Sequence, residues 1–178
     1  MLRPHASEGP MLGFLFRGLT AEPKGGTALF DAATAEARRP GWYAKASVPD
    51  TLDGRFSVLA TVTALLLVRL EREGDEGNHL SVMLTERFIE VMESEHRELG
   101  LGDPTLGKTV RKLVGMLARR TELWRTAKAG ETAWDEATRQ SLFRGEDHDA
   151  GPAASLTKQL SERIEATSLA DFEQGRIA

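Results

Sequence analysis

The chain contains no cysteine. That excludes disulfides, thiolate zinc sites, cysteine nucleophiles and haem attached through a C-x-x-C-H motif, and it suits a reducing compartment. Histidine is scarce too. His5, His79, His96 and His148 are scattered, and no two have the i, i+3 or i, i+4 spacing that sets a pair of ligands on one helix face. No metal site and no cofactor is expected. The longest apolar run, Val58 to Val68, carries Thr61 and Thr63 and is about half the roughly 20 residues a bilayer requires. The opening MLRPHASEGPMLGFLFRG has only a short apolar patch, interrupted by glycine and arginine, which is not a secretory signal. Alternating β-branched runs and Asn-Gly hairpins are missing as well. A formal net charge of −4 over 178 residues gives no global pull toward nucleic acid or membrane, and no DNA partner is expected.

What remains is a succession of helical patterns. Residues 1–26 are rich in Gly and Pro without sustained period and are expected to be mostly disordered, with Met11 as good a start as Met1. Ala28 to Arg38 is alanine-rich and ends before Pro40-Gly41, because proline disfavours helical geometry in the residue before it. Trp42 and Tyr43 follow, and aromatics beside such a break tend to fold back onto the core. The next helix spans about Thr51 to Glu73. Leu52, Phe56, Leu59, Val62, Leu66 and Leu70 form one face, and Val58, Leu65 and Val68 a second, so its middle is apolar nearly all round and belongs at the centre of the domain.

An acidic helix from about His79 to Leu99 has a narrower stripe through Leu84 and Phe88, with Gly100 as its C-cap. A basic helix opens at Asp103-Pro104, a cap followed by proline at the first helical position, and runs to about Ala129. Thr132 to Phe143 and a weak last helix, Ser155 to Ala166, complete the pattern. The expected architecture is an all-α, single-domain bundle with short glycine turns: a helical domain over 27–145, then a C-terminal helix and weakly ordered tail over 146–178.

Charge is segregated between neighbouring helices. Glu71 to Glu98 holds nine acids against three bases, a net of −6, whereas Pro104 to Gly130 holds seven bases against Glu122 alone, a net of +6. At roughly 100° per residue, Lys108, Lys112 and Arg119 fall on one line with Arg111 beside them. Gly115 lies on the same line, and Leu106, Val110, Leu113, Leu117 and Trp124 face the other way. Two readings stand: a solvated face ion-paired to the acidic helix, or a cationic docking face for an acidic partner surface, RNA or lipid headgroups. Catalytic patterns are lacking. Gly100-Leu101-Gly102-Asp103 has no preceding strand and no P-loop lysine, so it reads as a tight helix–helix turn, and no G-x-S-x-G nucleophile setting occurs. A non-catalytic protein is expected.

The segment Val48-Pro49-Asp50-Thr51-Leu52-Asp53-Gly54-Arg55-Phe56 is unusual. Asp50 or Thr51 caps the helix and Asp53 suits the dipole, but Arg55 opposes it unless a nearby acid compensates. Gly54 leaves room for another helix to pack close. Arg55 is read chiefly as a tie to Asp50, Asp53 or an acid of the next helix, with client binding alongside Trp42 and Tyr43 as the alternative.

This segment, together with Ala28-Leu29-Phe30, Trp42-Tyr43, Leu65-Leu66-Leu67, Arg97-Glu98-Leu99-Gly100-Leu101-Gly102-Asp103 and Lys108, Val110 and Lys112, resembles the ubiquinol–cytochrome c chaperone family over about residues 27–145. Val62 stands where the family pattern has histidine, and Arg119-Arg120 where it has Gly-Arg. The resemblance implies an all-helical assembly chaperone that holds newly made cytochrome b during biogenesis of ubiquinol–cytochrome c reductase. Mitochondrial members work with a small helical partner protein and associate with the ribosome. The location expected is cytoplasmic, peripheral at the inner face of the inner membrane, with MLGFLFRG adding weak interfacial contact. Candidate client or partner contacts are Trp42, Tyr43, Arg55, Lys108, Arg111, Lys112 and Arg119. Binding of RNA or the ribosome through the basic face is the alternative function.

Overall fold

A computed structural model describes residues 27–98 and 103–178, without the side chains of 95–97 and 103–106. Every described element is a helix: α1 (Thr27–Ala37), α2 (Gly41–Ala44), α3 (Leu52–Leu70), α4 (Gly74–Glu98), α5 (Asp103–Lys128), α6 (Trp134–Phe143), α7 (Gly151–Ala166) and α8 (Leu169–Glu173). The N-terminal segment expected to be disordered, with MLGFLFRG and Met11, lies outside the described residues. So do Leu99, Gly100 and Gly102.

The apolar girth of α3 places it at the centre, against α1, α4, α5, α6 and α7. Val58, Val62 and Leu66 are completely enclosed. α5 follows its predicted phase, with Leu113, Leu117 and Trp124 in the core and Val110 half-buried; the side chain of Leu106 is not described. Polar groups tie these helices together. The Ser141 hydroxyl of α6 accepts the Trp124 indole N–H at 3.2 Å and shares a 2.6 Å hydrogen bond with Thr61 of α3, whose hydroxyl also donates to the Ser57 carbonyl at 2.7 Å. Trp134 donates to Thr157 at 2.9 Å, joining α6 to α7.

Several ends differ from the sequence reading. α4 begins at Gly74, not near His79, because Gly77 lets its first turn press on the end of α3: a Cβ there would strike the Leu70 carbonyl. Asp75 and Glu76 suit this turn's dipole. α7 begins at Gly151, where Pro152 starts a helix instead of breaking one. The tail expected to be weakly ordered is packed. Phe172 of α8 is fully buried, Gly175 adopts φ +70° with the Ala28 carbonyl against its α-carbon, and the Arg69 guanidinium lies 5.8 Å from the Phe172 ring centroid. Alternating small and apolar residues along α7, from Ala153 through Thr157 and Leu160 to Ile164, supply the face that α3 and α6 receive.

Candidate functional site

Two features hold the candidate residues: the turn entering α3, and the outer face of α5.

In the turn, Ser47 takes a positive φ of 57° and the Val48 N–H donates to the Trp42 carbonyl at 3.1 Å, folding the chain back over α2. Thr51 caps α3, its hydroxyl accepting from the Gly54 N–H at 3.2 Å. The glycine makes room for the chain's own turn, not for a second helix: a Cβ on Gly54 would overlap the Pro49 carbonyl. Arg55 finds the acid its position calls for. Its Nε donates to Asp50 at 2.6 Å, and its guanidinium lies 5.8 Å from the Tyr43 ring centroid. The bond from Arg55 holds the Asp50 carboxyl below the usual carboxylate range. Tyr43 is half-buried and donates to the Ala37 carbonyl at 2.7 Å; burial pushes its hydroxyl up to about 12, against the opposing field of Arg55. Asp53 turns away to meet Arg144 at 3.2 Å. Trp42 is sunk in the core, 2% exposed, with its indole donating to the Glu36 carbonyl at 3.0 Å, so of the two aromatics only Tyr43 reaches the surface. Phe56 sits 6.2 Å from Phe88 of α4, while Leu52 is left 44% exposed at the helix entrance.

The face of α5 divides in two. Toward its C-terminal end Arg125 pairs with Glu71 and Glu122, and Lys128 with Glu165 of α7. Glu165 also takes Arg72 and stands 3.9 Å from Arg69. These carboxylates come from the α3–α4 turn, α5 itself and α7, not from the acidic face of α4. Toward the N-terminal end Lys108, Arg111, Lys112 and Arg119 are all exposed, and none forms an ion pair with a described residue. They extend over about 16 Å of helix. Val114, 42% exposed, lies among them, and a Cβ on Gly115 would come within 3.3 Å of the Arg119 guanidinium. Asp103 opens α5 as expected. The structure therefore brings Tyr43, Asp50 and Arg55 together, and separately Lys108, Arg111, Lys112 and Arg119.

Sequence reasoning missed Arg120. It is half-buried against α6, donating to the Ser141 carbonyl at 3.2 Å. Its place 100° round the helix from Arg119 was a signal that it leaves the solvent face. Among the described residues no group of His, Asp and Glu is arranged to hold a metal ion, and no helix is long and apolar enough to cross a membrane.

The described surface is one of charge and a few exposed apolar groups on an all-helical frame. The chain belongs to the ubiquinol-cytochrome C chaperone family, whose profile matches residues 44–177. The match runs past the expected limit of residue 145 through α7 and α8. No curated protein matches the chain. Among solved structures, the fold is similar to the Cbp3 homolog from Brucella abortus, with a TM-score of 0.74 at 24% identity over 86% of this chain and 87% of that one.

Proposed function

We propose that the protein holds newly made cytochrome b during assembly of ubiquinol–cytochrome c reductase, gripping its client by surface contacts and making or breaking no bond. The family match over residues 44–177 carries this reading. The surface is consistent with it: an unpaired row of cations beside exposed Val114, and Leu52 bare at the α3 entrance, offer polar and apolar contact to a client that emerges at a membrane. A cytoplasmic protein working at the inner face of the inner membrane fits these contacts. Deleting the gene and measuring cytochrome b is the test; unchanged levels reject the reading.

A second reading rests on the same four cations, which suit the phosphates of RNA or of the ribosome. Lys108→Glu combined with Lys112→Glu then abolishes salt-sensitive co-sedimentation with ribosomes, and undiminished co-sedimentation removes it.

A further inference from the structure

The half-buried cations of this protein, unlike the exposed row on α5, are almost all answered by opposite charge. Of the half-buried cations among the described residues, Arg55, Arg69, Arg87, Lys128, Arg139 and Arg163 each form an ion pair with a carboxylate, and Arg38 lies in the field of Asp31. Arg120 is the exception. One of its nitrogens donates to the Ser141 carbonyl, and no carboxylate among the described residues meets it; its Nε, like those of Arg69 and Arg87, is buried without a hydrogen-bond partner. Its charged neighbours have its own sign. Arg119 is exposed one residue before it, and Arg144 stands at the C-terminal end of α6 with its tip on Asp53. Burial first, then repulsion from Arg144 and Arg119, lower the guanidinium pKa to about 10.

The carbonyl end of α6 offsets part of this, since a helix C-terminus favours positive charge. It leaves the charge without a counter-ion among the described residues, which is costly out of water. A group that burdens the folded chain in this way is characteristic of a site completed by something else.

We propose that Arg120, flanked by Arg119 and Arg144, is an oxyanion site at the junction of α5 and α6 that receives a carboxylate from an acidic segment of a protein partner. Recess and composition favour this occupant. A flat headgroup surface meets the exposed Lys108, Lys112 and Arg119 before it reaches Arg120. RNA finds no stacking platform on α5, because the helix's one aromatic, Trp124, is fully buried. An acidic segment can instead lie along the exposed cations and lower one side chain onto Arg120, where a guanidinium bonds a carboxylate with directional N–H donors. The site is independent of which client the protein holds.

The test uses the purified full chain and a fluorescent decaglutamate peptide. Arg120→Met is expected to weaken peptide binding at least tenfold while melting no lower than the unsubstituted chain, since it removes an unpaired buried charge. Arg120→Lys, which retains the charge and loses the planar fork, is expected to weaken binding severalfold with an unchanged melt. Lys158→Met, which removes one exposed charge from α7, should change affinity less than twofold. If Arg120→Met melts lower and binds the peptide as well as before, Arg120 is only a tie to α6 and the proposal falls. A loss confined to phosphatidylglycerol vesicles or to single-stranded RNA, with peptide binding intact, overturns it as well.

Discussion

The Pro49 carbonyl occupies the space that a side chain on Gly54 would need. In an exposed helix interior, glycine to alanine gains about 1 kcal/mol. Here the sign reverses. Gly54→Ala must move the turn that carries Asp50 and caps α3, and overpacking of this kind costs about 1–3 kcal/mol. Urea denaturation should show a lower midpoint for Gly54→Ala, whereas Gly115→Ala, which meets only the movable end of Arg119, should be neutral or stabilising.

Ser141 joins three helices through one hydroxyl. Ser141→Ala leaves the Trp124 indole N–H without its acceptor in the core, at a cost of about 1–3 kcal/mol. Because Thr61 shares that hydroxyl, Thr61→Val combined with Ser141→Ala should destabilise by less than the sum of the single changes. A double-mutant cycle measured by thermal unfolding checks this.

The Asp50–Arg55 pair gives a small pH-dependent contribution. The folded Asp50 carboxyl has a pKa below its ordinary value, so its stabilisation is present above the unfolded aspartate pKa, near about 3.9, and is lost as pH falls through the lower folded value. Asp50 is exposed and Arg55 only half-buried, and such solvent-screened pairs contribute about 0.2–1 kcal/mol. Asp50→Asn should therefore lower stability slightly at pH 7, with the difference closing in acid and at about 1 M salt; a constant difference across pH would refute the assignment.

Phe172 is enclosed completely although it stands six residues before the last residue of the sequence. Phe172→Ala should cost about 3–5 kcal/mol, the range for deleting a buried phenyl ring. Calorimetry would read this as one cooperative transition shifted to lower temperature, not as local loss of a tail.

The parts of the fold legible in the sequence were those set by one helix alone. The girth of α3 announced its central position, and the phase of α5 separated Leu113, Leu117 and Trp124 from the outward row Lys108, Lys112 and Arg119. Trp42, placed after a break, folded back onto the core as aromatics there tend to. What escaped depended on two elements at once. Gly74 opens a helix because its first turn touches the end of α3 at Gly77, although glycine beside charge reads equally well as an interruption. Arg120 looks like one more cation in a basic run; its phase turns it from the solvent face, but its enclosure and its hydrogen bond come from α6. Arg55 needed an acid, yet several were within reach in the sequence, and it was the helix-entry turn, with Thr51 extended as the cap and the Pro49 carbonyl against Gly54, that set Asp50 beside it.

The meeting of Gly175 with Ala28 sets an order of events during synthesis. Helix α1 emerges from the ribosome among the first described residues, but the residues that close over it are translated nearly 150 codons later. Until then its flank stays uncovered, so the chain must itself pass through a stage that exposes a surface the finished fold conceals.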